Sequence, residues 1–173
     1  MDRRKLRAAV GSTVFFFAAP CVVAGVLPWW ISGWSPEPVH STLAWLRVAA
    51  GGAVVVGCAV VLLRAFVRFV DEGIGTPAPA APTERLVVGG DYRYVRNPMY
   101  VAVVGCIAGQ ALLLGSAALL VYTVAAWLGM ASFVRWYEEP LLLSRFGEEY
   151  QAYRAAVPAW RPRLRPWNAP KPE

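Results

Sequence analysis

Apolar and polar positions fall along this chain in long blocks rather than short periods. Met1–Arg7 is polar and basic, and Ala8–Pro36 then carries no charged residue. That run exceeds the roughly 7–15 residues of a signal-peptide core, and a bilayer crossing takes ~20. It predicts a first span over about Ala8–Trp30 with Pro20 as its kink, since membrane helices tolerate proline when neighbours satisfy the freed backbone groups. Trp29, Trp30 and Trp34 form an interfacial aromatic belt. Ser32–Ser41, with Pro36 and Pro38, reads as a short turn. A second span covers about Leu43–Val70; Arg47 and Arg64 flank its uncharged centre, Val48–Leu63, and snorkel to opposite interfaces. Arg64 and Arg68, four apart, share a helix face.

Asp71–Asn97 is a polar insert. Gly73, Gly75, Pro77, Pro79 and Pro82 exclude a helix interior from its first part. Its second part holds an apolar triplet (Leu86, Val87, Val88), a Gly89-Gly90 turn, then interleaved arginines and tyrosines. Pro98–Val134 is uncharged over 37 positions, too many for one span and enough for two. Gly115-Ser116 is the natural break, giving a helical hairpin of Pro98–Leu114 and Ala117–Val134. Gly105 and Gly109 form a small-xxx-small pattern that permits close helix contact. Beyond Arg135–Pro140, Leu142, Phe146, Tyr150, Tyr153 and Val157 fall on one helical face. Arg145 and Glu149 are spaced to pair across one turn. The tail Pro158–Glu173 has five prolines and is expected to be extended.

Composition excludes the alternatives to a membrane protein. Of 173 residues, 57% are apolar and 16% charged, against about 45–50% apolar and about 25% charged in soluble domains. A soluble domain of this size has too little interior to hide so much apolar surface. Disorder, a collagen-like rod and a disulfide-stapled mini-domain are excluded as well. The expectation is one all-α integral membrane domain, 1–173, with four transmembrane helices. Residues 8–70 form two N-terminal spans, 71–97 a cytoplasmic loop, 98–137 the hairpin, and 138–173 a cytoplasmic amphipathic helix with a proline-rich tail.

The charge map sets the orientation. Four spans put both termini and the 71–97 loop on one side, with 16 of the 17 Lys+Arg. By the positive-inside rule that side is the cytoplasm, as for a multi-pass protein of a bacterial inner membrane. The net charge of +6 therefore needs no nucleic acid, and the basic ends face membrane lipids. Cys21, Cys58 and Cys106 have neither paired spacing nor histidine neighbours, so no disulfide frame and no metal site is supported.

A hairpin with a tight distal turn brings its open ends together. Tyr94, Arg96, Asn97 and Tyr100 should then lie near Glu138 and Glu139. Adjacent carboxylates beside arginines make either an ion-pair lock or a ligand site. Neighbouring helical side chains diverge by ~100°, so one carboxylate should face a ligand and the other an arginine or backbone. His40, the only histidine, is expected at the opposite end, there is no Walker loop, and Gly89-Gly90 lacks a βαβ context. A reaction needing neither strong base nor metal fits best. Alkyl transfer from an activated donor is one, because it depends on positioning and desolvation.

Leu86–Tyr100, then Glu138-Glu139, then Phe146–Tyr150 with Tyr153 and Val157-Pro158 resemble the isoprenylcysteine carboxyl methyltransferase family, which is grouped with the phospholipid N-methyltransferases. The resemblance covers roughly Gly73–Pro162. It implies a membrane methyltransferase using S-adenosyl-L-methionine (SAM). It also implies cofactor contacts from Arg85, Leu86, Val87, Tyr92, Asn97, Pro98, Met99, Tyr100 and Glu138, with Arg135 as the catalytic or substrate-binding arginine. The chemistry of SAM adds Arg96, or Arg85, for its carboxylate, and Glu139 beside Glu138. The tyrosine faces of Tyr92 and Tyr100 suit the sulfonium or adenine. Leu141–Val157 is expected to lie on the membrane or close as a lid. A lipophilic or small acceptor (carboxylate, thiol or amine) is expected to enter between the second span and the hairpin. Asn97 departs from the histidine many members carry there, and cannot shuttle a proton. A non-enzymatic membrane scaffold and an NADPH-dependent enzyme of the steroid-reductase type are the rival readings.

Overall fold

The computed structural model describes residues 18–73 and 85–168. The basic Arg3–Arg7 segment, the start of the first span and the stretch from Pro77 to Pro82 lie outside the described residues. Every regular element among the described residues is helical: α1 (Ala18–Ser32), α2 (Thr42–Gly73), a 3-10 turn (Gly90–Arg93), α3 (Pro98–Leu114), α4 (Ala117–Phe133) and α5 (Glu139–Ala156). α4 and α5 run on through a wide turn, Val134–Glu138. Two stretches are long and apolar enough to cross a membrane, Thr42–Arg68 with 27 residues and Ala117–Ala156 with 40. α1 and α3 are shorter apolar helices.

The hairpin forms where the sequence places it. Gly115 closes α3 in the left-handed conformation (φ 73°), and the Ser116 side chain caps α4 by accepting from Leu119 N. Glu37 N donates to Leu114 O at 2.9 Å, and Arg47 pairs with the Glu37 carboxylate at 3.0 Å beside Gly115. That ion pair clasps the distal end of the bundle.

The small residues of α3 serve a different partner from the hairpin's own. Gly105 and Gly109 face α2. A Cβ on Gly109 would lie 2.9 Å from Val55 N and 3.0 Å from Gly51 O. One on Gly51 would lie 2.7 Å from Gly109 O. One on Gly105 would collide with the Cys58 sulfur. The tightest seam is thus α2–α3, backbone against backbone, where small residues allow close van der Waals approach.

Two wide turns follow one rule. In α1 the irregularity lies at Val22–Val26 rather than at Pro20. Leu27 N bonds Val22 O, five residues back, and Pro28 follows. In the other, Glu139 N bonds Val134 O and Pro140 follows. Proline has no N–H, and its ring crowds the carbonyl four residues earlier, so the helix widens just before it. The carbonyls freed in α1 are met from outside: Tyr122 Oη donates to Val23 O at 2.9 Å, and Gln110 Nε2 to Ala24 O at 2.7 Å. Gln110 Oε1 also accepts from Trp34 Nε1 at 3.2 Å.

α5 is not the uninterrupted helix expected over Leu141–Val157. Gly147 has φ 49° and ψ −120°, which bends it. Only glycine enters that region at little cost. The bend breaks the turn between Arg145 and Glu149, and the expected pair between them does not form; Arg145 instead lies over the Phe146 ring. The apolar stripe survives: Tyr150, Tyr153 and Val157 are buried, with Leu142, Phe146, Leu86 and Trp167 packed on them.

Candidate active site

The loop into α3, the wide turn out of α4 and the tail after α5 meet at one end of the bundle. The described part of the tail, up to Asn168, has no regular secondary structure and is strapped along the loop. Arg96 N donates to Pro158 O at 2.9 Å, Arg163 N to Tyr94 O at 2.9 Å, and Trp167 N to Arg93 O at 3.0 Å. Asn97 Nδ2 donates to Ala159 O at 3.1 Å, and Arg93 Nε to Trp167 O at 2.8 Å. Arg93 also bonds the Asn168 side chain.

The adjacent glutamates take separate partners. The Glu138 Oε1 accepts the Tyr100 hydroxyl at 2.6 Å, and Glu138 Oε2 carries no hydrogen bond among the described residues. Glu139 is buried, with 6% of its surface exposed. Its Oε1 accepts from Arg96 Nη1 at 2.9 Å, and its Oε2 is faced by Arg154 at 3.4 Å and Arg135 at 3.8 Å. Arg96 is tied further to the Tyr150 hydroxyl at 3.0 Å. Glu139 thus sits in an ion-pair lock, and Glu138 keeps a carboxylate oxygen for something else.

The sequence-derived candidates divide accordingly. Tyr100, Glu138 and Tyr92 come together. Burial pushes the Tyr92 phenol well above its ordinary value, and the charges of Tyr153, Glu138 and Tyr100 nearby act in the same direction. The phenol is thereby kept protonated. Tyr153 Oη donates to Tyr92 O at 2.7 Å. Val87, Tyr92 and Met99 pack with Ala65 of α2, and Leu86 joins the Tyr150 cluster. Pro98 is buried at the start of α3, and Asn97 is spent on the strap. Arg96 and Glu139 bind each other. Arg135 is 63% exposed and only loosely linked to Glu139. Arg85 is exposed and makes no ion pair among the described residues. Of the arginines Arg85, Arg93, Arg96 and Arg135, only Arg96 and Arg135 meet, on Glu139, while Arg93 holds the tail and Arg85 stands apart from the lock.

Trp160, which no sequence motif singled out, lies over this end. Its ring centroid is 6.5 Å from that of Tyr100 and 6.2 Å from that of Trp127 on α4. The signal available in the sequence was its place between Pro158 and Pro162, three residues past the apolar stripe.

Two cavities lie elsewhere. One of about 290 Å³, lined by Cys58, Val61, Val101, Ala102, Pro98 and Pro162 among others, opens between α2 and α3. By helical spacing Pro98, Val101 and Ala102 share the face of α3 opposite Tyr100. The other, of about 410 Å³, is lined by Arg64, Arg68, Gly90 and Asp91 with Leu63 and Val67. Arg64 pairs there with Asp91 at 3.3 Å. Neither is lined by Tyr100 or Glu138.

The family model for phospholipid methyltransferase matches residues 46–149. A 78-residue stretch is 36% identical to the protein-S-isoprenylcysteine O-methyltransferase of Schizosaccharomyces pombe, covering 44% of this chain and 33% of that protein. The chain thus spans about a third of the length of the curated relative it matches. No solved structure matches it. The family match runs through α2, the strapped loop, both arms of the hairpin and the Tyr100–Glu138 pair, and the chain belongs to the phospholipid methyltransferase family.

Proposed function

We propose that the chain is an integral membrane methyltransferase that takes SAM at the end where Tyr100 meets Glu138. The observation that carries this reading is the 2.6 Å bond between Tyr100 and Glu138, which leaves one carboxylate oxygen open beside an aromatic face. The donor set fits such a cofactor. Glu138 Oε2 accepts from an ammonium or from ribose hydroxyls. When bound, SAM supplies an electrophilic methyl group on a sulfonium.

The chain's own residues then position and exclude water. Leu86, Val87, Tyr92, Asn97, Pro98 and Met99 fix the loop and the start of α3, so that Tyr100 is presented in one orientation. The Arg96–Glu139 lock holds the wide turn, and so holds Glu138. Arg135 orients the acceptor. Its surroundings suit a lipophilic one: Phe133 and Tyr137 stack at 5.1 Å, and Trp136, 78% exposed, lies beside the Arg135 guanidinium. An acceptor on this side of α4 reaches the Tyr100 face, whereas the groove between α2 and α3 leads to the opposite one. Acceptor entry is therefore assigned to the α4 side. Four spans place the loop, the site and both termini in the cytoplasm, in line with the basic residues.

Calorimetric titration of the detergent-solubilised chain with SAM tests the reading. Wild type should bind, and the Glu138→Ala, Tyr100→Ala double variant should lose at least about tenfold in affinity, the equivalent of one charge-assisted hydrogen bond. Equal affinities in a folded double variant would overturn the site.

A further inference from the structure

Trp160 is held on both sides. Pro158 O and Ala159 O accept from Arg96 N at 2.9 Å and Asn97 Nδ2 at 3.1 Å, and Arg163 N donates to Tyr94 O at 2.9 Å. These bonds fix the main chain on either side of the indole. Its plane is inclined 37° to the Tyr100 ring, and the Trp127 ring meets it near-perpendicular at 79°. Edge-to-face contact is a favoured aromatic geometry, so Trp127 braces the indole. The ring is only partly buried.

A cation is attracted to an aromatic face within about 6 Å of the ring centroid. The Tyr100 and Trp160 centroids are 6.5 Å apart, so positions exist within that reach of both. The Glu138 carboxylate, bonded to the Tyr100 hydroxyl, adds negative charge at the same place. We infer that Tyr100 and Trp160, braced by Trp127, form a two-walled cation site whose ligand is the sulfonium of SAM; this rests on the methyltransferase reading above. The contact is with charge rather than shape. In methyl transfer the acceptor's lone pair forms a bond to the methyl carbon as the S–CH₃ bond breaks and its electron pair returns to sulfur, which leaves a neutral thioether. The site therefore holds the methyl donor more tightly than the demethylated product and lets that product go.

The experiment titrates SAM and S-adenosylhomocysteine separately into the full chain in detergent, for wild type, Trp160→Leu and Trp160→Phe. Wild type should prefer SAM. Trp160→Leu should lose about fivefold to thirtyfold of its SAM affinity while S-adenosylhomocysteine binding stays within about twofold, and Trp160→Phe, which keeps an aromatic face, should retain most of the preference. If Trp160→Leu weakens both ligands equally, or neither, the cation site is overturned while the cofactor reading stands. If wild type binds neither ligand, both fall.

Discussion

On the side of α3 that meets α2, backbone touches backbone at Gly51 and Gly109, and Gly105 lies against the Cys58 side chain. On the opposite side, Tyr100 faces Glu138, and the tail crosses on main-chain hydrogen bonds. The first seam gives little: a gap of about 0.5–1 Å already forfeits a quarter to a half of a dispersion contact. The second consists of polar contacts that water or a ligand can replace, because a typical hydrogen bond nets only about 1 kcal/mol. A rigid wall on one face and an exchangeable one on the other is what a helix needs if it is to anchor a site and still admit a ligand.

The comparison is most open to attack at the two glutamates. Glu139→Ala would strand Arg96, whose side chain is 11% exposed. Removing one partner of a buried pair costs about 3–5 kcal/mol, so thermal unfolding in detergent should show a large fall. Glu138→Ala removes one bond to a phenol and should cost no more than about 1.5 kcal/mol. Equal losses would erase the distinction between lock and ligand carboxylate. Next in size, Gly109→Val should destabilise by about 1–3 kcal/mol through overpacking. The contrast is Gly129→Ala, where nothing lies within 4 Å of the added carbon; it should be neutral or stabilising. A Gly109→Val protein as stable as wild type would refute the rigid seam. The smallest effect belongs to the strap. Asn97→Ala should cost about 1 kcal/mol and raise amide hydrogen exchange at Arg96 and Trp167 more than in α3. Uniform acceleration across the protein would show that the strap has no independent mobility.

These contrasts were unevenly legible in the sequence. The Gly115-Ser116 break and the divergence of Glu138 from Glu139 follow from local chemistry and helical period, and both were readable. The family was readable too, because its motifs are short, ordered and local. Partner choice was not. Gly105 and Gly109 announce close contact without saying with which helix, and the structure sends them to α2. Four arginines near two glutamates look like one pocket, but burial decides which pairs can form, and burial is a property of the fold. Pro28 and Pro140 each mark a wide turn in the sequence once the pattern is known. Nothing local separates Pro28 from Pro20 in the sequence, because the groups that donate to the carbonyls freed at the Pro28 turn, Gln110 and Tyr122, lie far along the chain. Five prolines predicted an extended tail but not which carbonyls it would meet, and so Trp160 was missed.

The patched turn of α1 has a consequence for how the protein is made. Until α3 and α4 arrive, the carbonyls of Val23 and Ala24 lack the Tyr122 and Gln110 donors that satisfy them in the finished bundle. An unsatisfied backbone group in hydrocarbon costs several kcal/mol. On the proposed four-span topology, α1 is made before the two helices that satisfy its carbonyls and settles only once they come alongside, so for these three helices the order of synthesis and the order of settling run in opposite directions.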